Sequence, residues 1–265
     1  MNKIVISFVI FFLTGCAFDK SDLRNKVEKI AAAQYMKSRV YHTKNFDIFT
    51  LERISNPKKP IRIYIGGDGR AYVNNYQPSL DPTPTSNFLI SLIAQDPSPN
   101  LVYIARPCQF VESKKCEEKY WTSERFSAEA IAAIDEVVSE FSDHKIEIVG
   151  YSGGALVALE LEQKNIKNIR TIAGNLDLET FAAMHGIAPI VAPKINYKNL
   201  AKIPQIHFVG AEDKIIPLAV TEAYEGRLPR KNCVKVKIIS GTTHNENWQK
   251  EWADLLKIEP ACAVK

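Results

Sequence analysis

Residues 145 to 164 constrain this chain more than any other stretch. Lys145-Ile146-Glu147-Ile148-Val149 is an apolar run that meets Gly150-Tyr151-Ser152-Gly153-Gly154 and continues as an amphipathic run from Ala155 to Gln163. The pattern predicts a strand, a sharp turn and a helix. Gly-x-Ser-x-Gly at such a junction is the spacing of a nucleophile elbow, in which the serine is held on a strained turn. A Cβ two residues before or after it would collide with the adjoining strand or helix, so Gly150 and Gly154 meet a steric need. The following helix points unpaired N-H groups and its positive dipole end at Ser152, which suits a site where negative charge develops. Taken alone, the pentapeptide also fits an ordinary glycine-rich turn. The order of the elements around it separates the two readings.

Upstream, Phe46 to Ile54 alternates as a strand. Ile61-Arg62-Ile63-Tyr64-Ile65 is a second strand that runs directly into Gly66-Gly67-Asp68-Gly69. A loop at this place can donate a backbone N-H to a developing oxyanion, from Asp68 or Gly67. The Asp68 side chain is expected to point away and accept local hydrogen bonds. Residues 71 to 86, rich in Asn, Pro, Ser and Thr, read as a pocket-shaping loop. Ser86 is expected to cap a helix to about Gln95. Leu101 to Ala105 follows as a strand, and Thr122 or Ser123 is expected to cap a helix to about Phe141.

Beyond the elbow, Ile169 to Ala173 and Ile206 to Gly210 read as strands, and Val234 to Ser240 as the last. Strands alternating with helices at this spacing imply a mostly parallel sheet with helices on both faces, and ligands at the carboxyl ends of its strands. Asp213 follows one such strand directly, and His244 lies in the loop after the last. A serine hydroxyl needs a base, and the base needs a carboxylate to fix its tautomer. Ser152, Asp213 and His244 supply that set. Glu212 competes with Asp213 for the acid. His42, His144, His185 and His207 are less well placed than His244, and Ser127 and Ser240 lack the elbow context.

With these residues in view, the chain from about residue 60 to 255 resembles the α/β-hydrolase superfamily. Gly66-Asp68-Gly69, Arg106-Pro107-Cys108-Gln109 and Tyr120-Trp121-Thr122 look like those of a group of exported bacterial members. The resemblance implies the α/β-hydrolase fold, Ser152, Asp213 and His244 as a catalytic triad, and the amides of Asp68 and Gly153 as the oxyanion hole. The family's His-Gly form is replaced here by Gly66-Gly67, which leaves the donor open between Asp68 and Gly67. The expected activity is hydrolysis of a small-molecule or lipid-like carboxylic ester or thioester through an acyl-enzyme. Acyl transfer by the same triad and a non-catalytic envelope binding protein are the alternatives. Residues 186 to 202 could cover the pocket.

At the other end, Ile4 to Leu13 is apolar apart from Ser7 and follows Lys3. It is too short to span a bilayer core of ~30 Å as a helix. It reads as a signal-peptide core. Leu13-Thr14-Gly15-Cys16 resembles a bacterial lipobox, which implies cleavage before a lipidated Cys16. Ala17 after it resembles sorting to the outer membrane, facing the periplasm. Residues 1 to 15 are then a signal peptide, 16 to 45 a tether or first helix (Ser21 to about Arg39), and 46 to 265 the catalytic domain. Hydrophobic residues make up 46% of the chain, enough for one large core. A net charge of +4, without basic blocks interleaved with aromatics, argues against nucleic acid as a partner. No metal-ligand spacing and no cofactor motif is visible. Cys108, Cys116, Cys233 and Cys262 are an even count in an exported chain and fit two disulfides. Pairing Cys108 with Cys116 closes a short loop, and pairing Cys233 with Cys262 ties the tail to a strand. The count leaves the other two connectivities open.

Overall fold

The structure, a computed structural model, describes residues 19–74, 76–192 and 194–263. The expected signal peptide and Cys16 lie outside the described residues. Helix α1 (Lys20–Ala32) leads into strands β1 (Lys37–His42), β2 (Asp47–Ile54) and β3 (Ile61–Ile65). Then come α2 (Phe88–Ile93), β4 (Asn100–Ile104), α3 (Ala128–Ser139), β5 (Ile146–Tyr151), α4 (Gly153–Glu160) and β6 (Ile166–Ile172). The chain ends with α5 (Leu178–His185), α6 (Tyr197–Leu200), β7 (Gln205–Gly210), α7 (Leu218–Arg227), β8 (Val234–Ile239) and α8 (Trp248–Leu255).

The strands form one eight-stranded sheet in the order β1-β2-β4-β3-β5-β6-β7-β8. β2 is antiparallel to β1 and β4, and every pairing from β4 to β8 is parallel. β4 and β5 are mostly apolar, and every residue but Tyr151 is buried, because helices cover both faces of the sheet there. Ile63, Ile148, Leu156 and Val137 belong to the core under α3 and α4. Tyr64, Val149, Leu92 and Trp252 belong to the core under α1, α2 and α8.

Of the two readings of the N-terminal segment, tether or first helix, the structure has the helix, and it packs into the fold. Leu23, Val27 and Ala31 are buried, and β1 pairs along its length with β2. The sheet therefore begins at Lys37, upstream of residue 46. α1 stops at Ala32 rather than near Arg39 because Tyr35 takes a left-handed conformation (φ 59°) and the Met36 amide donates to the Ala31 carbonyl. α3 begins after Ser127, whose hydroxyl accepts from the Ala130 amide, and not after Thr122 or Ser123. Residues 118–121 form a separate 3-10 turn, and the buried Phe126 and Arg125 hold the intervening chain in irregular turns. Cys108 is bonded to Cys116 and Cys233 to Cys262.

Candidate active site

The sequence places a serine between β5 and α4, and the backbone there is bent as that position demands. Ser152 has φ 52° and ψ −123°, a strained conformation for a residue with a Cβ. Its amide donates to the Ile172 carbonyl, and its carbonyl accepts from the amides of Ala155 and Asn175, so the bend is fixed by α4 and by the end of β6 with the loop after it. A Cβ on Gly150 would lie 2.5 Å from the Ala155 Cα, and one on Gly154 would run into the carbonyls of Ile65 and Gly66. Both glycines are required by the close approach of helix to strand.

His244 and Asp213 reach this serine from the loops after β8 and β7. His244 Nε2 lies 3.0 Å from Ser152 Oγ, and His244 Nδ1 lies 2.9 Å from Asp213 Oδ2. The second oxygen, Asp213 Oδ1, accepts from the amides of Ile215 and Ile216 at 2.8 Å each, which fixes the carboxylate plane. The Asp213 side chain is fully buried. Trp248 Nε1 donates to the Thr243 carbonyl and braces the histidine loop, while the Tyr151 ring lies against the imidazole at 5.4 Å between centroids.

The other candidates lie elsewhere. Glu212 is exposed. His207 is buried in β7, bonded through Nδ1 to Thr171 Oγ1, and burial pushes it down to about 3. His185 bonds the Ile215 carbonyl, His42 pairs with Asp47 at an exposed edge, and Ser127 caps α3.

Asp68 departs from expectation. Its carboxylate is not engaged in local turns but held by two arginines far along the chain, Arg106 Nη1 at 3.2 Å and Arg125 Nε at 2.9 Å. Both guanidiniums are buried, lie against the Phe126 ring, and are joined through Arg106 Nη2 donating to the Arg125 carbonyl. Burial pushes Arg106 below its ordinary value, against the pull of Asp68. Two cations against one carboxylate leave the cluster with an excess of positive charge. The negative charge of an acid beside the serine is thereby offset.

Gln109, quoted from the sequence only as part of the Arg106-Pro107-Cys108-Gln109 motif and without a role, is fixed by two hydrogen bonds. Buried after β4, it donates from Nε2 to the Gly67 carbonyl at 3.1 Å and accepts at Oε1 from the Arg106 amide at 3.2 Å. Because C=O and N-H of a trans peptide point in opposite directions, this bond aims the Asp68 amide away from Gln109. Among the described residues the amides of Gly67, Asp68 and Gly153 make no intramolecular hydrogen bond.

Ser152 and His244 open into a cavity of about 430 Å³ lined mainly by apolar and aromatic groups, including Val27, Phe88, Tyr103, Phe110, Phe181 and Ile216. Residues of the 186–202 segment do not line it. Ile187, Pro189, Ile190, Ala192, Lys194, Ile195 and Tyr197 instead border a separate cavity with α5 and Arg227. The segment borders α5 and Arg227 and not the serine, so it does not form the cover expected from its sequence.

No protein-family model matches the chain, and no curated protein matches it. Solved structures do. An alpha-beta serine hydrolase homologue from Coxiella burnetii is 13% identical, with 83% of this chain and 93% of that chain covered and a TM-score of 0.53. Est1E from Butyrivibrio proteoclasticus is 12% identical over 83% of this chain and 96% of its own, with a TM-score of 0.58. Carboxylesterase CesB from Bacillus subtilis is 9% identical over 89% and 97%, with a TM-score of 0.59. Together with the strand order, these likenesses establish the α/β-hydrolase fold.

Proposed function

We propose that the protein is a serine hydrolase that cleaves a carboxylic ester or thioester through an acyl-enzyme on Ser152. The observation that carries this reading is the unbroken chain from Asp213 through His244 to Ser152, with the serine on its strained turn. As a carboxylate, Asp213 accepts from Nδ1-H of His244, so the lone pair of Nε2 faces the serine hydroxyl. His244 takes the hydroxyl proton as Oγ attacks the carbonyl and returns it to the leaving group. Water then repeats the sequence on the acyl-enzyme. The negative charge on the tetrahedral oxygen falls to the amides of Gly153, at the start of α4, and Asp68, aimed by Gln109. The fold likeness to proteins described as an alpha-beta serine hydrolase homologue and a carboxylesterase agrees with this chemistry.

The apolar lining of the cavity favours an uncharged acyl group over a polar one. We carry the N-terminal pattern into the same proposal: the mature chain begins at Cys16, is held by lipid in the cell envelope, and works without a cofactor. A panel of p-nitrophenyl acyl esters of graded chain length tests the reaction. Turnover should fall by about 10⁴-fold or more in Ser152→Ala. Undiminished turnover in that variant overturns the proposal.

A further inference from the structure

The start of the described chain is pinned to the rim of the candidate active site. Lys20 Nζ donates to the Cys108 carbonyl at 3.1 Å and to Glu112 Oε2 at 2.5 Å, and lies 3.6 Å from Asp81 Oδ1. Asp81 belongs to the loop after β3, and Cys108 and Glu112 to the loop after β4. β3 and β4 run parallel to β5, so both loops leave the sheet at the end where Ser152 stands. Val27, two turns further along α1, lines the cavity itself. Cys16 precedes Lys20 by four residues, a reach of at most ~14 Å of extended chain.

The loop beside Lys20 carries apolar side chains that no described residue covers. Leu80 is 97% exposed and Tyr76 91% exposed, with Tyr72 and Val73 half-exposed. The loop is braced: Tyr72 bridges to Pro78, the Ser79 amide donates to the Ala71 carbonyl at 2.9 Å, and Trp121 Nε1 donates to the Ser79 carbonyl at 3.0 Å. A braced tip holding a leucine and a tyrosine in water forgoes burial that a lipid interface supplies, and tyrosine is suited to the headgroup level. Tyr72, and Ile215 on the opposite lip, are half-exposed and also line the cavity, so the apolar rim is continuous with it.

We infer that the mouth of the site faces a lipid bilayer, with Tyr76 and Leu80 among the lipid headgroups, and that the substrate is an ester presented by that bilayer. The inference rests on the hydrolase and lipid-anchor readings above. The anchor holds the rim within reach of the membrane, and the apolar loop sets which way the molecule turns. The turn at Asn56 to Pro60, before β3, then faces water from the far end.

The test uses the full lipidated chain in vesicles of phosphatidylethanolamine and phosphatidylglycerol with brominated acyl tails, comparing Leu80→Trp with Lys58→Trp. The protein should float with the vesicles. Added emission from Leu80→Trp should be quenched by more than about twofold, and that from Lys58→Trp unchanged. Failure to float, equal quenching of the two, or no quenching of Leu80→Trp overturns the inference. In a second arm, Tyr76→Asp with Leu80→Asp should keep fluorophosphonate labelling and turnover of a water-soluble ester while losing about 10-fold or more on an ester dissolved in the vesicles. Equal loss on both substrates, no loss on either, or an unsubstituted chain that is a dimer in detergent and becomes a monomer on the double substitution, which would assign the loop to a second copy, overturns it. Absence of labelling in the unsubstituted chain strikes the hydrolase reading instead, and the quenching result still reports the orientation.

Discussion

The Asp68 carboxylate fills the space that a side chain at Gly153 would occupy. The residue after Ser152 is therefore tied to the loop after β3, because two arginines hold Asp68 where a Cβ at 153 would have to go. Gly153→Ala should displace either Asp68 or the start of α4 and lower kcat by about 100-fold. The same change in an Asp68→Ala background should cost far less. Kinetics of the four proteins of this double-mutant cycle check it, and additive losses would show that the contact does not matter.

Gln109 acts through the Gly67 carbonyl and not on substrate, so it is a positioning residue. Gln109→Ala frees the peptide that carries the Asp68 amide. The expected result is a fall in kcat of about 10- to 100-fold with KM little changed. A rise in KM alone would place Gln109 in substrate binding instead.

Much of this site was legible in sequence because its parts follow local rules. Ser152, Asp213 and His244 each stand directly after a strand, and Gly150 and Gly154 announce the close packing of the elbow. Residues whose roles depend on contacts across the chain were not legible. Arg106 and Arg125 meet Asp68 only after β3, β4 and the turns before α3 have been brought together, and nothing near Asp68 signals two buried cations. β1 was missed for another reason. Lys-Ser-Arg-Val-Tyr-His is an edge strand with little burial, so it lacks the alternation that marks a half-buried strand.

Glu160, at the end of α4, is half-buried, and its Oε1 has no hydrogen-bond partner among the described residues. Burial, and then the charge of Glu162, push it up to about 7 from an ordinary 4.5. Between those two values the folded state holds a proton that the unfolded state has released, so this residue's contribution to stability falls as pH rises through that window. Glu160→Gln should leave stability nearly unchanged at about pH 4 and raise it by about 1 to 2 kcal/mol at about pH 8, after allowance for solvent screening. Urea midpoints at the two pH values measure this. A variant no more stable at the higher pH contradicts it.

The two disulfides should separate in their effects. Cys108–Cys116 closes the loop that carries Gln109, whereas Cys233–Cys262, 29 residues apart, ties the tail to the start of β8. Cys233→Ser with Cys262→Ser should lower stability by about 3.5 kcal/mol from loop entropy while leaving kcat unchanged in folded protein. Cys108→Ser with Cys116→Ser should lower stability less, by about 2.5 kcal/mol, and also lower kcat. Thermal melts and turnover on the same samples distinguish them, and equal effects on kcat would argue against the link from Cys108 to the oxyanion loop.

The central claim is that Ser152 is activated by His244, and covalent labelling with a fluorophosphonate, read by intact mass, tests it most directly. The account predicts one adduct on the unsubstituted protein, none on Ser152→Ala, and a rate lower by about 10³-fold or more on His244→Ala. An unlabelled protein that is folded with both disulfides formed, or an adduct that persists in Ser152→Ala, would contradict it.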